Sequence, residues 1–306
     1  MLLLLLIKYT LLYSAVLMLV ALGGMFSERS GIINIALEGI MVIGGLAGVL
    51  AASNLPFSPA LMVPAAILIA GIAGLIYALL LGFASINLKA DQTIGGTALN
   101  IMATAIAMVI AKRVNDGGAA KLPLNKDALL FSIGGLELNI FIPVSIGLLL
   151  IAFFLLYKTR LGLRLRSCGE HPQAADSVGI NVYKMRYIGV MFSGFLGGIG
   201  GMAYIMPANP EWNFEQGVTG MGFLALAVMI FGQWKPFRIA LAAIFFSLFR
   251  AMADISDSLP LLKDLNFPKE IYKMMPFIAS MVVLALTSKK SRAPKAEGIP
   301  YDKGMR

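Results

Sequence analysis

Few residues of this sequence could carry out chemistry. The 306 residues include one cysteine, Cys168, and one histidine, His171. A disulfide within the chain needs two cysteines, and a zinc site needs more cysteine or histidine ligands than these. The sequence also lacks the GxxxxGK[ST] pattern with which a P-loop binds ATP. We therefore expect no metal, no cofactor bound by this chain and no ATPase site of its own, so that the chain is not an enzyme.

The polar residues of interest lie inside apolar stretches. Glu38 is the main ionisable residue there, and Asn34 stands four positions before it, on the same face of a helix. Asn100 lies in a later apolar stretch. An intramembrane hydrolase needs an acid pair or a nucleophile with a base, and neither is evident. These amides suit a translocation path for a polar solute that is opened by a conformational change driven from another site. Arg250 and Asp254, also four apart, are expected to pair with each other.

Composition predicts a multi-pass membrane protein. Hydrophobic residues make up 58% of the chain and charged residues 13%, with a mean hydropathy of +0.83, whereas soluble domains contain about 25% charged residues. The net charge of +9 does not indicate nucleic acid, because the basic residues cluster at the ends of apolar blocks, as membrane topology requires.

The hydropathy pattern predicts an all-α polytopic fold with about nine transmembrane helices. An even count, within a range of eight to ten, stays open if a short block is re-entrant. The expected spans cover residues 2–26, 35–52, 61–83, 94–111, 140–157, 187–206, 217–232 and 239–253, with a last one ending near residue 287.

A basic segment at residues 158–186 sets the expected orientation. It contains six Lys or Arg residues and two acids, and basic connectors are retained on the cytoplasmic side. The N-terminus would then lie outside, and the basic tail at 288–306 inside. Within the segment, Pro172 can begin a short helix, and Gly179 can end it in a left-handed cap. Ala174 and Ala175 would allow close approach to a docked partner.

Two polar interruptions suggest an internal duplication. Residues 27–39 (SERSGIINIALEG) and 215–222 (EQGVTGMG) each place polar and glycine residues before a short apolar run. Paired broken segments mark translocation sites near the membrane midplane, although both could be ordinary loops at helix starts. We expect Asn34, Glu38 and Asn100 to line a path opposite Phe223. Glu38 could instead cap the backbone of the broken segment.

Glycines in the block at 187–206 match the relaxed dinucleotide pattern GxGxxA from Gly198 to Ala203. No strand precedes them, and they lie inside an apolar block, so the context for a nucleotide site is wrong. The spacings Gly194/Gly198 and Gly44/Gly48 instead predict close packing between helices.

Three motifs together carry a resemblance that covers nearly the whole chain. SERSGIINIALEGIM, GEHPQAADSVGIN and GMGFLALAVMIFGQWKP resemble the permease subunits of bacterial ABC importers for simple sugars and nucleosides, within the branched-chain amino acid and ribose-type permeases. The asparagine at position 34 resembles the nucleoside branch of this family, because ribose-type permeases have aspartate at that position. The short N-terminus resembles the shorter of two permeases found together in nucleoside systems.

The resemblance implies a single transmembrane permease domain over residues 1–306 in the lipid of the cytoplasmic membrane. It implies a dimer, with a different permease or a second copy, and two cytoplasmic ATPase subunits that use ATP. A substrate-binding lipoprotein would deliver a nucleoside or sugar at the outer face. The family's coupling element maps onto Gly169, Glu170, His171, Pro172, Ala174, Ala175, Gly179 and Ile180. A stand-alone channel or facilitator remains the alternative, and the resemblance gives the basic tail no role.

Overall fold

A computed structural model of the chain describes residues 2–123, 129–133, 136–207, 211–255, 269–287 and 293–304. Most of them are helical. The helices are α1 (Leu2–Arg29), α2 (Leu37–Asn54), α3 (Pro59–Gly82), α4 (Gln92–Val114), α5 (Phe141–Lys158), α6 (Arg160–Glu170), α7 (Pro172–Ser177), α8 (Val182–Ile205), α9 (Met221–Phe231), α10 (Pro236–Asp254) and α11 (Lys269–Thr287). A π-helical turn at Phe83–Asn87 extends α3, and a 3-10 turn at Phe214–Gln216 precedes α9.

Seven of the described helices, α1 to α5, α8 and α10, are long and apolar enough to cross a membrane. The predicted count of about nine is therefore not confirmed. The block predicted as the seventh span forms α9, which has 11 residues. At a rise of about 1.5 Å per residue it reaches only about half of a hydrocarbon core that is about 30 Å thick.

Four short strands correct the expectation of an all-α chain. β1 (Lys121–Pro123) pairs antiparallel with β4 (Glu211–Asn213), with Leu122 opposite Trp212. β2 (Leu130–Ile133) pairs antiparallel with β3 (Leu136–Asn139). All four lie in connectors, where the backbone groups are not satisfied within a helix and pair with another segment instead.

The basic segment at 158–186 is folded into helices α6 and α7 and the first turn of α8, where the sequence predicted a loop with one short helix. It lies at the opposite end of the molecule from the strands. α1 connects the two ends, because Lys8 near its start forms a 2.8 Å ion pair with Glu137, and Arg29 at its end lies 3.5 Å from Glu170. We call these the strand end and the α7 end.

Helix α8 is the central element, against which α1, α2 and α3 pack. The helices approach so closely that only glycine fits at the contacts. A Cβ atom added at Gly44 would stand 2.2 Å from Gly198 Cα, and one added at Gly201 would stand 1.9 Å from the Met41 carbonyl oxygen. The predicted packing role of these glycines is confirmed.

This close contact yields a stability prediction. We expect Gly201→Ala to abolish recovery of monodisperse protein, because the added methyl group meets the rigid backbone of α2. The matched control is Gly147→Ala in α5, where an added Cβ has no neighbouring heavy atom within 4 Å and alanine favours the helix. Gel filtration and a thermal unfolding curve in detergent measure both variants. A Gly201→Ala protein as stable as the control would contradict this packing.

Candidate functional site

The break between α1 and α2 is held by side chains from other helices. The Ile33 N–H donates to Gln92 Oε1 at 2.7 Å, and Asn100 Nδ2 donates to the Ile35 carbonyl oxygen at 2.9 Å. Asn100 Oδ1 also accepts from the Gly39 N–H at 2.8 Å. One amide of α4 therefore satisfies the backbone on both sides of the start of α2.

Glu38 caps the second broken segment. Its Oε1 accepts from the Gly220 N–H and its Oε2 from the Gly222 N–H, both at 2.7 Å. The Phe223 N–H is a further backbone donor to this carboxyl group. Glu38 also lies in the first turn of its own helix α2, so one carboxylate stands at the N-termini of two helices, where the helix dipoles favour a negative charge. The geometry matches the capping alternative considered for this residue.

The Asn34 side chain points towards α8. It is fully buried and donates to Ser193 Oγ on α8 at 2.7 Å, while its Oδ1 has no partner in the described chain. Phe223 is 46% exposed. The structure therefore brings Glu38, Asn100 and Phe223 together where α2 and α9 begin, and places Asn34 beside α8.

The predicted short helix at the α7 end is present. Pro172 is its first residue, and Gly179 follows its end with a φ of +83°. The Ile180 N–H donates to the Ala175 carbonyl oxygen at 3.0 Å. His171 has a role that the sequence did not reveal, since its Nδ1 accepts from the Ala174 N–H at 3.2 Å and caps the helix.

Helix α7 presents only part of the predicted docking set to a partner. Ala174 and His171 are exposed, whereas Ala175 is 3% exposed and packs inward against Cys168 and Tyr301. Val178, which was not predicted, is 74% exposed. Its exposure could have been predicted, because it is an apolar residue within a polar, basic segment.

Gly169 and Glu170 attach α6 to α1. A Cβ atom added at Gly169 would stand 2.3 Å from the Arg29 carbonyl oxygen, and Glu170 forms its ion pair with Arg29. These two residues of the predicted coupling element therefore make contacts within the chain.

Residues 293–304 of the basic tail pack into the α7 end; residues 288–292 and 305–306 lie outside the described residues. The Ala296 N–H donates to the Gly169 carbonyl oxygen at 2.8 Å, and Arg186 Nη2 donates to the Ile299 carbonyl oxygen at 3.0 Å. Tyr301 is 4% exposed and lies edge-on to Tyr183. The tail, to which the resemblance gives no role, completes the inner side of this end.

Charged side chains reinforce these contacts. A 2.7 Å ion pair with Lys89 lowers the pKa of Asp302 and raises that of Lys89. Partial burial raises the pKa of Glu297, although hydrogen bonding to Glu28 and the charge of Arg29 act in the opposite direction. Glu28 is buried and accepts from Trp234 Nε1 at 2.6 Å, which joins the end of α1 to the turn before α10.

The strand end contains one correction. Arg250 and Asp254, expected to pair with each other, interact electrostatically, but each makes its hydrogen bond to a tyrosine. Asp254 accepts from the Tyr13 hydroxyl, and Arg250 Nη2 donates to the Tyr204 hydroxyl at 3.4 Å. The two tyrosines come from α1 and α8, and no sequence pattern indicates that they lie beside α10.

The Glu38 cap yields a prediction. We expect Glu38→Gln to lower the free energy of unfolding by about 1–3 kcal/mol, because glutamine offers one acceptor oxygen to the N–H groups of Gly220 and Gly222 and leaves one of them unpaired. Glu215→Gln is the control, since Glu215 is an exposed acid whose ion pair with Lys112, at 3.9 Å, should contribute about 0–1 kcal/mol. Thermal unfolding in detergent compares them, and equal stability of Glu38→Gln and wild type would refute the cap.

Comparisons with known proteins agree with this architecture. The family model described as "Branched-chain amino acid transport system / permease component" matches residues 6–285. The chain is 41% identical over 311 residues to the guanosine ABC transporter permease protein NupQ of Bacillus subtilis, covering 97% of this chain and 96% of the relative. It is 38% identical over 306 residues to the nucleoside ABC transporter permease protein NupC of Lactococcus lactis, covering 96% and 95%.

A third relative differs in its substrate. The putative glucose ABC transporter permease protein TsgC13 of Haloferax volcanii is 30% identical over 284 residues, covering 86% of this chain and 81% of the relative. No solved structure matches the chain. Since the family model spans most of the sequence and NupQ and NupC align with nearly all of it, the chain belongs to the family of ABC transporter permease components.

Proposed function

We propose that this chain is the membrane permease of an ATP-driven importer of nucleosides. The observation that carries the proposal is the near full-length similarity to NupQ and NupC, whose names specify guanosine and nucleosides.

The energy for transport would come from a partner. The sequence has no P-loop, so ATP would be bound by two cytoplasmic ATPase subunits docked on the exposed side of α7. We further propose a second, different permease subunit, a substrate-binding lipoprotein at the outer face, and no cofactor on this chain. The similarity to the shorter of two paired permeases supports the different second subunit.

We propose that the α7 end faces the cytoplasm and that the N-terminus lies outside. The basic residues of α6 and the tail support this orientation, because such residues are retained on the cytoplasmic side. The strand end, where α1 begins, would then meet the lipoprotein.

The translocation path would pass the junction of α2 and α9. Phe223 is exposed there and could stack weakly on a base. Glu38 and Asn100 would shape the wall by holding the two broken segments, and Asn34 would hold α2 against α8 through Ser193. In this proposal these residues act on transport largely through the geometry of the path.

A simple sugar is the second candidate substrate, because TsgC13 is named as a glucose permease. A stand-alone channel is the alternative that the sequence left open. Both are separated from the main proposal by one preparation, in which the tagged chain is purified in lipid nanodiscs with the proteins that accompany it. Co-purification of an ATPase, and uptake of labelled guanosine but not glucose by the complex in liposomes, would support the proposal. Guanosine flux without an ATPase would favour a channel.

The docking face can be tested in the same preparation. We expect Ala174→Arg to remove the co-purified ATPase while the permease stays inserted and folded, because the new side chain projects from the exposed side of α7. Ala119→Arg is the matched control, since Ala119 is an exposed alanine at the strand end. Ala175→Arg is not suitable, because Ala175 is buried. Full ATPase recovery with Ala174→Arg would exclude this face as the contact.

The orientation has a separate test with a matched pair of cysteines. Ala293 in the tail and Ala119 after α4 are both exposed, and the native Cys168 is buried. In intact cells, Ala119→Cys should react with a membrane-impermeant maleimide, and Ala293→Cys should react only after the cells are lysed. The opposite pattern would reverse the orientation.

A further inference from the structure

The strand end contains a cavity that the functions discussed so far do not use. Its volume is about 470 Å³, within the range of about 300–1,000 Å³ typical of small-molecule sites. Its walls come from α1, the β2–β3 hairpin, the end of α8, β4 and the end of α10. The lining residues used below are Tyr9, Tyr13, Asn139, Tyr204, Trp212 and Asp254.

Aromatic rings form one part of the wall. Tyr9 and Tyr13 are stacked with ring centroids 6.4 Å apart, and Tyr204 lies edge-on to Trp212 at 5.4 Å. Tyr13 and Tyr204 are 6.3 Å apart, so the rings are continuous across the cavity. Flat aromatic surfaces of this kind can stack on any nucleobase.

Two hydrogen-bond donors in the wall lack a partner. Trp212 Nε1 and Asn139 Nδ2 are buried, and neither has an acceptor within the described part of the chain. Buried donors are almost always paired, so each unpaired one requires an explanation. Two other polar groups of the wall have one partner each: Asp254 accepts from Tyr13, and the hydroxyl group of Tyr204 lies 2.8 Å from that of Thr219.

We propose that this cavity is an entry site that binds a nucleoside before translocation. The proposal rests on the proposed substrate class. The base would stack on the tyrosine rings, with its carbonyl or ring nitrogen accepting from Trp212 Nε1 and Asn139 Nδ2. A carboxylate such as Asp254 accepts hydrogen bonds, so it would receive those of the ribose hydroxyls. The charges at the cavity balance, because Lys8 forms an ion pair with Glu137 and Arg250 interacts electrostatically with Asp254. The site therefore lacks the excess positive charge that a phosphate requires, so it selects nucleosides over nucleotides.

The position of the cavity suits this role. The Tyr204 hydroxyl in its wall is hydrogen-bonded to the Thr219 hydroxyl. The next residue, Gly220, donates its N–H to Glu38. A bound solute would therefore lie next to the broken segment at the start of α9, on the side proposed to face outward.

The difference in tryptophan fluorescence between wild type and Trp212→Phe tests the site, measured on the complex in nanodiscs without the lipoprotein, which would itself bind adenosine. The other tryptophan of this chain, Trp234, lies at the α7 end and donates a hydrogen bond to Glu28. Adenosine should cause a saturable quench in wild type that is lost in Trp212→Phe, and AMP should cause none. Asp254→Asn should weaken adenosine binding about tenfold while adenine binds as in wild type, which also shows that the variant is folded.

A quench that persists in Trp212→Phe, or an Asp254→Asn variant that binds adenosine as wild type does, would overturn the entry site. Absence of any adenosine quench would overturn it as well. Guanosine and glucose uptake by the same complex judges the proposed function separately. Guanosine uptake without a Trp212 signal removes the site and leaves the function, whereas glucose uptake alone removes the function.

Discussion

Unsatisfied backbone groups are the constraint on which this structure depends. Buried backbone groups must be hydrogen-bonded, so the two breaks in the helices are paired from within the protein. Gln92, Asn100 and Glu38 provide that pairing, and each comes from a different part of the chain from the backbone it serves. The close packing of α2 on α8 through Gly44 and Gly198 then holds the bonded groups in register.

Sequence patterns predicted the long helices well, because a helix satisfies its own backbone and needs only a long apolar run. The block predicted at 140–157 is α5, and the one at 94–111 lies within α4. The patterns failed where partners are remote. β1 pairs with β4 across α5 to α8, and three residues contain no periodicity to recognise. α6 was predicted as part of a loop, because that segment has a high density of basic residues.

The candidate site shows the same division. Pro172 and Gly179 predicted the limits of α7, because their backbone preferences act locally. Glu38 was recognised as unusual from its position in an apolar stretch. Whether it lines a path or caps a helix could not be predicted, because this depends on where α9 begins. Ala175 faces inward in a buried cluster that includes Tyr301, and no local pattern connects those residues.

The packing of residues 293–304 has a consequence for biosynthesis. These residues are translated after every described helix, yet Ala296 and Tyr301 complete the inner side of the end that includes α7. The end proposed to receive an ATPase is therefore finished last. A nascent chain still on the ribosome would present α7 without its inner support, so engagement of a partner would be delayed until synthesis has passed the tail. Order of translation would in this way act as a check on assembly.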